Sequence, residues 1–447
     1  MAKLVALVVR TPAGHLLAVW AFAVGLFALG PIHYNHPPGL PTWFFVGGCI
    51  ALFCVGAWLG ISVLRRGTAA TMSTASRLDR IVWVTALFGV FGAGCIAVDK
   101  LLLSGLDFSQ GVTAIRFARE EAVDAGTALA LPRSPLLYLG YLTFGFSVPA
   151  YLLSILQGEA LRRRTTWLAF ASLASPFAYS YLYGGRSPLF LVLGMACGAI
   201  AVRLLSRQRA LPRGRTAPIL FVAFVALTLV YSNWIVSERF VATRTADYPT
   251  LEQRFRTTYD AEIPRVEGEQ LSQQLLMHGV LYTYYFSHEL PILERTLQYE
   301  HRVGPYYGAY QFYLLAAFVE RVVPAWNVDV VMIPQLKAAN VYGWFSTAWG
   351  GMYLDFGLLG ALVGALLSGW LAGRVYRRAL VDHTDGARLL MCYAVAGIIA
   401  TPILSIFTIS ISLPILFSLL ITSLFMRSAR TSPATANQPT GAPAPVR

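Results

Sequence analysis

The sequence predicts an all-α polytopic integral membrane protein, with about ten transmembrane helices and one large outer loop carrying interfacial helices. Three observations carry this prediction. Only 13% of the 447 residues are charged, where a soluble domain has about a quarter. Hydrophobic residues make up 56% and the mean hydropathy is +0.58. The apolar residues also gather in stretches near the ~20 residues that the hydrocarbon core of a bilayer requires. A soluble enzyme, a disordered chain and a disulfide scaffold are excluded together.

Ten stretches qualify as spans: 13 to 30, 42 to 64, 81 to 98, 134 to 157, 166 to 183, 187 to 202, 216 to 235, 350 to 373, 389 to 405 and 406 to 426. The first follows Lys3 and Arg10 as a signal peptide would, but it is long and lacks a small-residue cleavage site, so it reads as a retained signal anchor. Alternation from an inside start puts both termini in the cytoplasm and residues 236 to 349 outside. Under this topology the cytoplasmic segments hold 21 Lys and Arg, and the outer segments, almost twice as long in total, hold 14. That bias is the one that orients membrane proteins. It accounts for the net charge of +13 without nucleic acid as a partner. Residues 1 to 426 therefore read as one transmembrane domain. The tail 427 to 447, rich in Pro, Ala and Thr, reads as a disordered cytoplasmic segment. Cys49, Cys54, Cys95, Cys197 and Cys392 all fall in apolar runs without metal-ligand spacing and read as small core residues.

The asymmetry of loop size points to the outer face. Cytoplasmic loops are short, whereas the segment 236 to 349 is of a length that is usually functional. It contains aromatic, partly amphipathic stretches such as LSQQLLMHGVLYTYYFSHELPILERTL, expected to form helices at the membrane surface or a short re-entrant pair. No Walker loop, HExxH, GxSxG or Asp-x-Asp pair occurs, so nothing in the sequence calls for ATP, a metal or a redox cofactor.

Arginines, carboxylates and aromatics remain. Arg186, in YLYGGRSPLF, sits between two apolar spans with almost no loop on either side, where a charge is expensive unless satisfied. It reads either as a planar clamp for phosphate oxygens or as an arginine snorkelling to headgroups. Arg239, Arg244, Arg254 and Arg256 crowd the head of the long loop, on the side where positive charge is otherwise sparse, and suit an anionic substrate. His278, His288 and Glu289 lie among Tyr282, Tyr284, Tyr285 and Phe286. They are candidates for a general base toward a sugar hydroxyl beside stacking tyrosines, or for polar members of an interfacial aromatic belt.

The segment NVYGWFSTAWGGMYLDFGLLG, opening the span near 350, resembles the C-terminal signature of bacterial O-antigen polymerases, the Wzy-like oligosaccharide repeat-unit polymerases. Asn340, Tyr342, Tyr353, Asp355, Phe356, Gly357 and Gly360 carry the likeness. Gly184, Gly185, Arg186 and Ser187 match the family's Gly-x-Arg-small pattern. The resemblance implies a metal-independent membrane glycosyltransferase of the bacterial cytoplasmic (inner) membrane. Such an enzyme polymerises polyprenyl-diphosphate-linked oligosaccharide into a surface polysaccharide (O-antigen, capsule or exopolysaccharide). Its surroundings would be membrane lipids, with a chain-length regulator and a flippase of the same pathway as partners. Arg186, Arg239, Arg244, His278, His288 and Glu289 are then the catalytic candidates. Arg254, Arg256, Asn340, Tyr342, Tyr353 and Asp355 are the substrate-binding ones. A ligase-like transferase of the same architecture and a lipid-linked oligosaccharide transporter are the competing readings, the latter weakened by the absence of a repeated half.

Overall fold

A computed structural model describes residues 11–62, 75–104, 111–112, 134–213, 216–242, 248–264, 270–298, 304–323, 328–342 and 345–427. Seven helices in it are long and apolar enough to cross a membrane. They are α1 (Pro12–Leu29), α2 (Leu40–Ser62), α3 (Ala75–Val98, continued by a π-turn over Asp99–Leu103), the pair α4 (Pro135–Phe144) and α5 (Ser147–Leu156), α8 (Ser187–Leu205), α9 (Thr216–Ala242) and α15 (Ala348–Leu380). Arg244 and the expected tail after Arg427 lie outside the described residues.

The other three expected spans take a different form. The stretch 166 to 183 is two short helices, α6 (Arg163–Ala171) and α7 (Ala174–Leu182), hinged at Ser172 and Leu173. Ser172 Oγ donates to the Ala169 carbonyl at 2.7 Å and Ser175 Oγ to that of Gly89 on α3 at 3.1 Å, so hydroxyls engage backbone carbonyls around the break. The stretches 389 to 405 and 406 to 426 become α16 (Asp385–Ala400) and α17 (Ser412–Arg427), of 16 residues each. At 1.5 Å per residue each spans only ~24 Å. Pro402 sets the boundary, because a proline just past a helix cannot continue it. Hydropathy sums apolar content and is blind to such breaks.

Close packing follows the glycines. Gly56 and Gly60 of α2 face Gly369 and Gly373 of α15, two GxxxG faces laid together. A Cβ on Gly56 would lie 2.0 Å from the Leu366 carbonyl oxygen, and one on Gly369 would lie 2.0 Å from that of Phe53. Only hydrogen at Cα allows that approach. Cys49, Cys95 and Cys392 are buried and Cys54 is half-buried. Cys197 is exposed, against the core reading, because an apolar helix such as α8 turns as readily to lipid as to protein.

Between α9 and α15 lie α10 (Tyr248–Arg254, followed by a π-turn over Phe255–Tyr259), α11 (Gln270–Ser287), α12 (Glu289–Gln298), α13 (Tyr313–Val322) and α14 (Val328–Ala338). They carry small cores of their own. Ile32, Leu251, Phe255, Ala261, Val280 and Tyr284 form one, stitched by two residues of antiparallel sheet, β1 (His33–Tyr34) with β2 (Ala261–Glu262). Ile292, Tyr306, Ala309, Met332, Leu336 and Leu354 lie in another, which seats this region on α15. Glu294 of α12 accepts from the Gly39 N–H at 2.9 Å and from Thr42 Oγ1, so a carboxylate sits at the electropositive start of α2.

Candidate functional site

The Gly-Gly turn explains the position of Arg186. Gly184 ends α7 in the left-handed region (φ 60°) and the Gly185 N–H reaches the Ser180 carbonyl at 3.0 Å, a glycine-terminated helix end. Pro188 starts the next helix within its first turn, leaving Arg186 as the N-cap of α8. Its guanidinium lies over the Tyr285 ring, 4.4 Å from the centroid, and donates a long bond to Ser232 Oγ at 3.4 Å. Among the described residues no carboxylate pairs with it. A cation held by an aromatic face and a hydroxyl keeps its charge available to a ligand.

Tyr285 lies in the last turn of α11, just before the break that leads into α12. Pro291 has no N–H to continue the ladder, and the chain breaks at His288. His288 stacks on Tyr284 with centroids 4.2 Å apart and sits edge-on to Tyr285 at 6.3 Å. Its Nδ1 is 2.7 Å from the Tyr284 carbonyl and 3.1 Å from Glu289 Oε1. A carbonyl can only accept, so Nδ1 carries the proton and Nε2 is left as the basic nitrogen of the neutral ring. Glu289 is 1% exposed, and apart from this approach of His288 its oxygens have no hydrogen-bond partner among the described residues. Burial pushes its carboxyl up to about 7, against a smaller opposing pull from His288.

A ladder of rings extends from this pair. Tyr259 packs on Tyr284 at 4.6 Å, and Arg254 lies over Tyr259 at 5.8 Å. Tyr34 donates to Ser287 Oγ at 2.8 Å, since the Ser287 proton is given to the Thr283 carbonyl. Burial raises the Tyr34 and Tyr284 phenols above their ordinary range. Tyr34, Tyr259, Tyr284, His288, Pro291, Ile292 and Arg295 line a narrow crevice. Three residues before Arg186 in the chain, Tyr183 carries Lys100 over its ring at 5.5 Å, and Lys100 pairs with Asp99 at 3.4 Å.

The structure thus gathers Arg186, Tyr284, Tyr285, His288 and Glu289, with Arg254 at the end of the ladder. Arg239 and His278 belong to α9 and α11, their side chains outside the description. Arg256 makes an i,i+4 ion pair with Glu252 at 2.7 Å on the surface. The Asn340, Tyr342, Tyr353 and Asp355 group stands apart and has structural work to do. Asn340 ends α14 in the left-handed region (φ 53°), Lys337 lies over the Tyr342 ring at 5.2 Å, and Tyr353 packs edge-on to Phe45 of α2. Gly357 (φ 69°, ψ −172°) breaks α15 and so frees the carbonyls before it. Those of Leu354 and Asp355 then accept from the Tyr306 and Tyr307 N–H groups at 3.0 and 2.9 Å. The fully buried Asp355 carboxylate accepts from the Tyr310 and Gln311 N–H groups at 2.9 and 3.0 Å. Motif residues therefore anchor the segment 304–312 on α15.

Tyr34, Tyr259, Arg295 and Lys100 are absent from the sequence reading, for no local pattern marks them. Among the described residues no group of three or more His, Cys, Asp or Glu side chains comes together as a metal site would require. No protein-family model, curated protein or solved structure matches this chain.

Proposed function

We propose that the chain is a membrane glycosyltransferase that polymerises polyprenyl-diphosphate-linked oligosaccharide repeat units at the outer face of a bacterial cytoplasmic membrane. The motif resemblance names the reaction. The observation that supports it most is Arg186, a guanidinium without a carboxylate partner among the described residues, linked through Tyr285 to the buried His288–Glu289 pair.

The reaction needs two things from the protein. A hydroxyl oxygen of the acceptor repeat unit attacks the anomeric carbon of the donor glycan, and the carbon–oxygen bond to diphosphate breaks with its electrons leaving on the diphosphate oxygen. Arg186 stabilises the charge that collects there, where a fixed donor is worth more than in water. His288 Nε2 takes the hydroxyl proton, and Glu289 behind Nδ1 supplies the countercharge for the imidazolium that forms. The tyrosines offer flat faces to sugar rings.

Cells lacking this protein, complemented with variants, test the reading. Arg186→Ala should leave single repeat units on lipid. Arg186→Lys keeps the charge but loses the fork and the stacking, and should lower polymer yield by roughly 10- to 100-fold, as expected for one charge-assisted contact of ~1.5–3 kcal/mol. Normal polymer length from Arg186→Ala at normal expression would overturn the assignment.

A further inference from the structure

A second feature lies far from these residues, between α3 and α17. The two helices border an open crevice of about 650 Å³. That volume is within the ~300–1,000 Å³ of small-molecule sites. One end is basic. Arg77 donates to the Phe425 carbonyl at 2.7 Å and Arg80 is exposed, and among the described residues neither has a carboxylate partner. Asp79 lies between them in sequence, but its carboxylate turns away to Arg162, accepting from the Arg162 N–H at 3.2 Å and meeting its Nε at 3.3 Å.

The rest of the crevice is largely apolar. Val84, Phe88 and Phe425 are exposed along its walls, and Phe88 meets Phe146 with centroids 5.9 Å apart. Thr422 also lines it, its hydroxyl without a hydrogen-bond partner among the described residues. From Arg77 to Phe88 is eleven residues of helix, ~17 Å at 1.5 Å per residue. That is close to one leaflet, half of the ~30 Å hydrocarbon core.

We propose that this groove is a binding site for one anionic glycerophospholipid, its phosphate on Arg77 and Arg80 and one acyl chain laid against Val84 as far as Phe88 and Phe146. Charge selects the occupant, because two guanidinium groups without carboxylates at headgroup depth favour an anionic over a zwitterionic lipid. Length fits it too, since the α3 lining runs ~17 Å from Arg77 to Phe88, about the reach of one acyl chain. The site stands independently of the proposed transferase activity.

The test is native mass spectrometry of the full chain released from nanodiscs of equimolar phosphatidylglycerol and phosphatidylcholine. The unaltered protein should retain one phosphatidylglycerol in preference to phosphatidylcholine by roughly tenfold or more, from two arginines at the membrane surface. Arg77→Gln with Arg80→Gln should bring the two lipids to parity. Val84→Trp, which fills the groove and leaves both charges, should lose the retained lipid. Equal retention by the unaltered protein, undiminished preference in the double variant or full retention by Val84→Trp would each overturn the site. Displacement of phosphatidylglycerol by equimolar polyprenyl phosphate would overturn the choice of occupant.

Discussion

At the scale of single residues, Glu289 makes the sharpest statement. Its carboxyl is held up at about 7 from an ordinary 4.5 because burial disfavours the charge. The folded chain therefore binds this proton more tightly than the unfolded one. The stabilisation is fully present below the unfolded value and is lost as pH rises through 7, a change of ~3 kcal/mol. Glu289→Gln should flatten the fall in melting temperature between pH 5 and 7.5 and make the protein more stable than the unaltered chain at pH 8. Thermal unfolding in detergent across that range checks this, and an unchanged slope would contradict it. Asp355 behaves differently. Asp355→Ala leaves the Tyr310 and Gln311 N–H groups buried without acceptors, so the segment 304–312 should come off α15 and be cut by chymotrypsin at Tyr306, Tyr307 or Tyr310 much faster than in the unaltered protein. Equal cleavage rates would show that the anchor lies elsewhere. The residue types of the site were legible in the sequence, since Arg186 stands out between two apolar spans and His288 and Glu289 among aromatics. Their meeting was not, because it depends on how α11 packs, which sets Tyr285 of its last turn against a helix start a hundred residues earlier.

At the scale of elements, the contact of α2 with α15 is set by four glycines. Gly369→Ala drives a methyl into the Phe53 carbonyl and should destabilise by about 1–3 kcal/mol through overpacking. Gly47→Ala, on the same α2 where an added Cβ meets nothing within 4 Å, should be neutral or gain up to ~1 kcal/mol from helix propensity. Unfolding in detergent separates the two, and equal effects would deny the close approach. This interface was written in the sequence as Gly56-xxx-Gly60 and Gly369-xxx-Gly373, a spacing of small residues that hydropathy alone does not weigh. Hydropathy found the seven membrane-length helices but ran past the breaks at Ser172 and Pro402. It scores side chains, and these breaks come from backbone groups that serine hydroxyls or a proline ring remove from the ladder.

At the scale of the whole molecule, a bundle of apolar helices carries a cap of helices α10 to α14, and the candidate site lies where the cap meets the bundle, at the Gly184–Gly185 turn. Length and composition predicted that so long a segment would do chemistry, and its aromatic stretches predicted helices within it. Their arrangement rests on small cores such as Tyr306, Met332 and Leu354, which no periodicity displays. The placement at this junction of a guanidinium with no carboxylate partner among the described residues, beside a buried His–Glu pair, is what supports the proposed transferase acting on a lipid-anchored anion. The direct test supplies purified protein in phospholipid vesicles with polyprenyl-diphosphate-linked repeat units and resolves the products by size. The account predicts a ladder of whole repeat multiples, with one polyprenyl diphosphate released per bond and no ladder from Arg186→Ala. Repeat units left single by the unaltered protein would contradict it.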